Sequence, residues 1–169
     1  GATTTYSYDS QNLFVSTTTN ALGHITETSY DYANGKPTRI VDANNLIKTY
    51  TYDPVGRISE EKVPDFAVPA NLVTSKQYSY SDTVYPRYVR TRTYFSSSTS
   101  TDAYAYRDGL GRTTQERSQV ATSTYVIKDF VYHSNGTLAK ESLPYFGTIA
   151  SSSSATTTST LFTVHSYDS

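Results

Sequence analysis

The stretch Leu46-Ile-Lys-Thr-Tyr-Thr-Tyr-Asp-Pro-Val-Gly-Arg57 decides the fold that we predict for this chain. Its first seven residues are mostly β-branched or aromatic, which favours an extended strand. The Asp-Pro-Val-Gly segment is a turn signal, because Asp accepts hydrogen bonds from the backbone two residues on, Pro presets φ for a type I turn and Gly tolerates positive φ. The stretch therefore predicts a strand that enters a tight hairpin turn.

The same turn signal recurs along the chain at an interval of 11 residues. Tetrapeptides of the form Asp/Asn-x-x-Gly/Asn begin at positions 9, 20, 42 and 53, and Asp31 continues the series with its glycine one residue late. Every second turn carries a Tyr-Asp pair, at Tyr8-Asp9, Tyr30-Asp31 and Tyr52-Asp53. We therefore predict an all-β fold, an antiparallel β-hairpin meander of about a dozen short strands that forms a curved sheet.

Beyond position 63 the period loosens although the pattern persists. Residues 1–63 carry regular hairpin repeats and residues 72–143 irregular ones, with turns at Asp108-Gly-Leu-Gly111 and His133-Ser-Asn-Gly136. We predict an insertion loop at 64–71, a Ser/Thr-rich loop at 144–160 and a final strand in a truncated repeat at 161–169. Turn centres in the second part lie roughly 12 to 13 residues apart, so longer strands are expected there.

The composition indicates a β-rich chain and argues against highly charged binding partners. The 169 residues include 17 Tyr, 28 Thr and 23 Ser, and the formal net charge is −1. Tyrosine rings supply apolar surface, while Ser and Thr favour strands and turns. A net charge near zero argues against nucleic acid or an anionic membrane as a partner, and no apolar run is long enough to span a membrane. The absence of Cys excludes disulfides and thiolate metal sites.

Tyrosines also recur in pairs two residues apart, and such side chains share one face of a strand. We predict a tyrosine stripe that packs the inner face of the sheet, with a sugar-binding aromatic platform as the alternative. The pairs are Tyr6 and Tyr8, Tyr30 and Tyr32, Tyr50 and Tyr52, Tyr78 and Tyr80, and Tyr104 and Tyr106.

The sequence contains no catalytic or metal-binding constellation. His24, His133 and His165 lie far apart along the chain, whereas a metal site needs converging ligands. Glu60 and Glu61 are adjacent, so in a strand they point to opposite faces and cannot act as an acid–base pair. No GxSxG, HExxH or P-loop string occurs. We predict no enzyme, no cofactor and no bound metal.

Two arginines directly follow turn glycines, Arg57 after Gly56 and Arg112 after Gly111. We predict a structural role for both, either a cross-strand ion pair with a neighbouring Asp or stacking on a tyrosine. Recognition of an anionic ligand is the alternative.

These motifs resemble one known family. Tyr52-Asp-Pro-Val-Gly-Arg57 resembles the YDxxGR core of RHS/YD repeats, and Tyr106-Arg-Asp-Gly-Leu-Gly-Arg112 resembles the DGLGR variant of those repeats. The resemblance extends over nearly the whole chain, with substitutions in several copies. The matching residues are Tyr8, Asp9, Tyr30, Asp31, Tyr52, Asp53, Gly56, Arg57, Tyr106, Asp108, Gly111, Arg112, Tyr132, Gly136, Tyr167 and Asp168.

The resemblance implies a structural function in a secreted or surface-exposed bacterial protein. In RHS/YD-repeat proteins, which include polymorphic and insecticidal toxin complexes, wall-associated proteins and teneurins, long β-sheets spiral into hollow shells. In the bacterial toxins the shell encloses a C-terminal toxic polypeptide. This chain has no match to that toxin-bearing tip or to the Asp-Pro-rich self-cleavage region before it. A dozen strands span some 55 to 60 Å, so we expect the chain to form one portion of a shell wall.

Two other functions remain open on the residues alone. Exposed tyrosines and loops would suit an extracellular glycan- or receptor-binding module, and unpaired edge strands would suit a self-assembling filament. The expected partners are neighbouring YD repeats or other copies through edge strands, with a glycan or an encapsulated polypeptide as further candidates, but no nucleic acid and no membrane insertion. Both ends show the same phase of the repeat and Met is absent, so we expect an interior piece of a longer array.

Overall fold

A computed structural model describes residues 1–148 and 161–167 of the chain. Within these residues all regular secondary structure is β-strand, and no helix has the length and apolar character of a membrane span. The strands are β1 Thr5–Tyr8, β2 Val15–Thr19, β3 Ile25–Asp31, β4 Lys36–Val41, β5 Ile47–Tyr52, β6 Ile58–Pro64, β7 Leu72–Ser81, β8 Arg87–Tyr94, β9 Ser100–Arg107, β10 Thr113–Ala121, β11 Thr124–Tyr132, β12 Leu138–Ser142, β13 Tyr145–Thr148 and β14 Phe162–Val164. The predicted all-β fold is confirmed.

The chain divides into two compact units, Gly1–Gln77 and Tyr78–Ser169. In the first unit every strand pairs antiparallel with the next one along the chain, from β1 with β2 to β6 with β7. This is the predicted hairpin meander. The segment at 64–71 lies within this unit, because β6 ends at Pro64 and β7 begins at Leu72.

In the second unit β8 to β12 continue the same antiparallel order, and β14 pairs with β12. One side of β11 is shared by two strands, β13 along its first half and β12 along its second. Leu143 and Pro144 separate those two strands. Proline lacks the N–H that a continuous ladder needs, which explains the interruption at this point.

Strand length differs between the units. Strands β1 to β6 have four to seven residues, whereas β8 to β11 have eight or nine. The wider spacing of turn signals in the second half of the sequence predicted longer strands, and this holds for β8 to β11 but not for β12 to β14, which have three to five residues.

Buried side chains are concentrated in the second unit. Tyr104, Tyr106, Tyr125 and Ile127 form a cluster there, and Tyr88 packs against it. The rings of Tyr104 and Tyr106 stack with their centroids 6.0 Å apart. Burial, the largest cause, raises the pKa of Tyr104 to about 12. On β9 the tyrosine pair therefore packs as predicted.

The prediction of a packed tyrosine stripe is wrong for Tyr6, Tyr8 and Tyr32 of the first unit, whereas Tyr30, Tyr50 and Tyr52 are half-buried. Tyr6 and Tyr8 are 60% and 56% exposed, and Tyr32 is half exposed. The two tyrosines of β1 lie on a strand with one neighbour in this unit, so few side chains are available to cover them. Tyr32 lies in the turn after β3 and therefore does not share a strand face with Tyr30.

Some predicted segments lie outside the described residues. Most of the Ser/Thr-rich loop at 144–160 and the last two positions, including Asp168, belong to this group. The first residues of that loop form a strand, β13, because Tyr145 and Phe146 pair with Ile127 and Val126 of β11.

Candidate functional site: the repeated tyrosine–aspartate hairpin

The turn after β5 shows how one repeat is built. The Asp53 N–H donates to the Arg57 carbonyl at 2.8 Å, and the Gly56 N–H donates to the Asp53 carbonyl at 2.9 Å. The Asp53 Oδ1 atom accepts from the N–H groups of Val55 and Arg57. Gly56 lies at φ +81°, a conformation that a residue without Cβ adopts at little cost. The predicted turn geometry is confirmed here.

Other turns have the same positive φ at the fourth position and the same main-chain bonds, except that the Asp9 N–H donates to the Phe14 carbonyl, one residue later. The side-chain oxygen of the first residue again accepts from two backbone N–H groups in most of them. The first and fourth residues of these turns are Asp9 and Asn12, Asn20 and Gly23, Asp42 and Asn45, Asp108 and Gly111, and His133 and Gly136. At Asp31 the positive φ falls one residue later, at Gly35, as the spacing predicts.

A β-bulge accompanies each tyrosine–aspartate turn. Thr51 pairs with Glu60 but Tyr52 pairs with Ile58, so Ser59 is an extra residue on the returning strand. The Ser59 hydroxyl contacts the Thr51 hydroxyl at 2.9 Å. Hydroxyls at three other bulges donate to the carbonyl of a residue on the facing strand. They are Ser16 to Ser7, Thr38 to Ser29 and Thr114 to Tyr106, at 3.3 to 3.4 Å.

The motif tyrosines tie neighbouring strands together through their hydroxyl groups. Four of these hydroxyls donate to a main-chain carbonyl at or near the start of a neighbouring strand. The pairs are Tyr30 with Val15 at 3.2 Å, Tyr52 with Pro37 at 2.6 Å, Tyr132 with Thr113 at 2.9 Å and Tyr167 with Leu138 at 3.1 Å. This bond explains why these positions carry Tyr rather than Phe.

The residue opposite the turn aspartate also contacts the tyrosine of the next repeat. Phe14 stacks on Tyr30 with ring centroids 4.7 Å apart, and the Lys36 ammonium lies 5.6 Å from the centre of the Tyr52 ring. The Lys36 Nζ also donates to the Gly56 carbonyl. In the second unit the Arg112 guanidinium lies 4.6 Å from the centre of the Tyr132 ring. Within each unit, consecutive repeats are therefore in direct side-chain contact.

Arg57 and Arg112 form ion pairs with the aspartate of their own turn. Arg57 Nε lies 2.8 Å from Asp53 Oδ2, and Arg112 lies 2.7 Å from Asp108 Oδ2. Arg112 thus makes both of the predicted contacts, the ion pair and the tyrosine stacking. Desolvation alone would raise the pKa of the Asp53 and Asp108 carboxyls, but the hydrogen bonds and charge of the paired arginine outweigh it. The pKa of each carboxyl therefore lies below its usual value.

Two motif tyrosines depart from this arrangement. Tyr8 is exposed, since it lies on β1. Tyr106 stands two residues before Asp108 rather than one, so it points to the opposite face and is 3% exposed. Its hydroxyl is buried and has no hydrogen-bond partner among the described residues, while the Arg117 guanidinium lies 4.2 Å from its ring centre.

The sequence analysis missed a buried polar cluster on that face of the second unit. Asp129, which is 2% exposed, accepts hydrogen bonds from the Gln115 side chain and from the Tyr145 hydroxyl, and its N–H donates to the Ser142 hydroxyl. Arg117, also 2% exposed, donates to Gln115. Burial lowers the pKa of the Arg117 guanidinium. These polar groups satisfy one another, which a buried network requires.

No pattern in the sequence marked this cluster. Gln115 and Arg117 alternate with Thr114, Glu116 and Ser118 on β10, so both faces of the strand read as polar. A period of two identifies a buried face only where apolar and polar residues alternate. The nearest signal is Ile127 beside Asp129 on β11, an apolar residue on the same face as an acid.

We predicted no metal site because the three histidines lie far apart along the chain. Within residues 1–148 and 161–167, no group of three or more His, Asp or Glu side chains lies close enough to hold a metal ion. Glu60 and Glu61 stand at consecutive positions of β6, opposite Gln77 and Lys76. Glu60 bonds to Thr74 and Lys62, and these contacts lower the pKa of its carboxyl, the Thr74 bond most.

The comparisons with known proteins agree with the motif. Residues 30–65 match the family model of the RHS repeat. No curated protein matches the chain significantly. A crystal structure of TcdB2-TccC3 without its hypervariable C-terminal region aligns with 85% of this chain at a TM-score of 0.69 and 13% identity. The structure of the Tc holotoxin pore of Photorhabdus luminescens, with a TccC3 mutation, aligns with 86% of this chain at a TM-score of 0.50 and 16% identity.

The chain spans 12% and 9% of the lengths of those two structures. At such low identity the alignments establish a shared fold, to which the family match adds the motif of residues 30–65. That segment contains the Tyr30, Asp31, Tyr52, Asp53 and Gly56 positions whose bonds are described above. The resemblance seen in the sequence is confirmed: residues 30–65 match the RHS repeat, and the fold of the chain is similar to that of the Tc toxin structures.

Proposed function

We propose that this chain is a non-catalytic structural segment of a large secreted or surface RHS/YD-repeat protein. It contributes wall to a β-shell that encloses a toxic or other polypeptide. The observation that carries the proposal is the direct contact between successive repeats, in which Lys36 bonds to the carbonyl of Gly56 and lies near the Tyr52 ring. A residue whose contacts hold the next hairpin in place has a structural role.

Repetition of these contacts supports a wall in particular. When each unit contacts its neighbours through the same bonds, stability is close to a sum of unit and interface contributions, and the array extends without a central core. The motif polar groups bond to one another, as at Asp53 and Arg57, which leaves them poorly suited to act on a substrate.

The edge of β1 supports association with further repeats. All four residues of Thr5–Tyr8 are exposed, and in the first unit this strand pairs with β2 alone. An exposed edge is a template for another strand. We propose that it pairs with a neighbouring YD repeat of the parent chain or with another copy.

The test is a cryo-electron microscopy structure of the full-length product of the parent gene. We expect residues 1–148 to lie in a continuous β-wall, with additional polypeptide density inside it. A chain found outside any closed wall, with its tyrosines on a bound glycan, would support the binding-module alternative instead. Filaments built from edge-paired copies would support the self-assembly alternative. Either result would overturn the proposed wall function.

A further inference from the structure

An apolar groove lies in the first unit, at one end of β4, β5 and β6. Its volume is about 620 Å³, which falls in the range of roughly 300 to 1,000 Å³ typical of ligand sites. Ile40, Tyr50 and Val63 line it from the strands, and Leu46 and Phe66 from the adjoining loops. Leu46 is 45% exposed and the Phe66 side chain is fully exposed, so the groove opens to solvent.

Two aspartates in this groove differ from the other turn aspartates. Elsewhere Oδ1 accepts backbone N–H groups while Oδ2 is occupied by a side chain. The occupied pairs are Asp9 with Tyr32, Asp31 with Asn34, Asp53 with Arg57 and Asp108 with Arg112. Asp42 and Asp65 use Oδ1 in the same way, but no side chain among the described residues bonds to their Oδ2 atoms.

The charges around the groove are therefore unbalanced. Asp42, Asp65 and Lys48 all line it, and Lys48 forms no ion pair with either aspartate in the described part of the chain. Two carboxylates against one ammonium give a net charge of −1 beside an apolar floor. A complementary ligand carries a positive group on an apolar body.

We propose that this groove binds an extended polypeptide segment that places one Lys or Arg side chain next to apolar or proline residues. The basic side chain would take the free carboxylate oxygens of Asp42 and Asp65, and its apolar neighbours would pack on Tyr50, Val63 and Phe66. The dominance of apolar lining favours this occupant over a sugar, whose hydroxyls need more polar partners. The inference does not rest on the wall function.

The test uses fluorescence anisotropy with the whole chain and three labelled peptides. The first is acetyl-Leu-Pro-Arg-Pro-Phe-amide, and the other two replace its Arg by citrulline or Glu. We expect the Arg peptide to bind roughly threefold or more tightly than the citrulline peptide, since surface ion pairs contribute modestly. The Glu peptide should bind more weakly than both.

Variants of the chain identify which side chains of the groove are responsible for the preference for Arg. The double variant D42N/D65N keeps the Oδ1 acceptors of both turns and should remove the preference for Arg, while Lys48→Glu should enlarge it. Asp108→Asn, a turn aspartate of the second unit, is the matched control and should leave binding unchanged. Circular dichroism checks that each variant is folded. If D42N/D65N is unfolded, the Lys48→Glu arm and nuclear magnetic resonance shifts at Leu46 and Val63 decide.

Several results would overturn the proposal. One is equal binding of the Arg and citrulline peptides, and another is an Arg preference that survives in D42N/D65N. Absence of binding at millimolar peptide would do the same. So would a dimer, detected by sedimentation, whose formation protects the amides of residues 40–66 from hydrogen exchange. That result would make a second copy the occupant. Binding of oligosaccharides instead of peptides would assign the groove to glycans.

Discussion

Tyr52 shows what a single motif residue contributes to a repeat. Its hydroxyl donates to the Pro37 carbonyl on β4, and the Lys36 ammonium lies near its ring. One side chain thus joins its own strand to the preceding one by a hydrogen bond and a cation–π contact. Desolvation, the largest cause, raises the pKa of the Tyr52 hydroxyl above its usual value of 10.0.

Replacement of Tyr52 by Phe should therefore destabilise the first unit. The change removes the hydroxyl and leaves the Pro37 carbonyl without this donor, for an expected loss of about 0.5–1.5 kcal/mol in the free energy of unfolding. Urea denaturation measures the loss. Tyr6→Phe is the control, because Tyr6 is 60% exposed. Equal losses in the two variants would contradict the assigned role of the motif hydroxyl.

The second prediction at the scale of the residue concerns the turn glycine, Gly56. Gly56 has φ +81°, and a Cβ there would meet its nearest neighbour, Lys36 Nζ, at 3.5 Å, so conformational strain dominates the effect of a side chain. We expect Gly56→Val to cost about 1–2 kcal/mol of unfolding free energy. Gly109→Val is the matched control, since Gly109 has open space and no positive φ. An unchanged denaturation midpoint for Gly56→Val would count against the turn.

At the scale of the element, the hairpin turns couple folding to pH. Opposed by desolvation, the bonds from Arg57 and Arg112 hold the pKa values of Asp53 and Asp108 below those of the unfolded chain. Their stabilising contribution is therefore fully present above about pH 4 and is lost as pH falls through the folded-state pKa values.

The urea concentration at the unfolding midpoint should accordingly be lower at roughly pH 3 than at pH 5. The D53N/D108N double variant should have a shallower dependence, because neither amide titrates. Some slope should remain, since the pKa values of Asp9, Glu60 and Glu141 are also lowered. Identical slopes for the two proteins would contradict the assignment of these ion pairs.

The elements also show which features a single sequence reveals. Turns were predictable because Asp, Pro and Gly each act locally, as the bonds of Asp53 and Gly56 demonstrate. The bulge at Ser59 and the bond from Tyr52 to Pro37 were not, because both depend on the register between strands. The cluster around Asp129 was hidden for the same reason, as its partners come from β10, β12 and β13.

At the scale of the whole molecule, each unit is a run of hairpins in which most contacts join neighbours. Stability of such a chain is distributed over its interfaces, and its outermost strands are the weakest parts. In the first unit β1 pairs with β2 alone, and among the described residues of the second unit β14 pairs with β12 alone. The candidate groove could not be foreseen from sequence, because it requires Asp42 and Asp65, 23 positions apart, to line one cavity.

Hydrogen exchange of these outer strands tests the central proposal, that the edge strands pair with further repeats or with other copies. In a dilute monomer we expect the amides of residues 161–167 and of Thr5–Tyr8 to exchange much faster than those of Lys36–Val41, a strand with neighbours on both sides. Association with further repeats or copies should then protect them. Full protection of both outer strands in the dilute monomer would show a self-contained domain and would contradict the account.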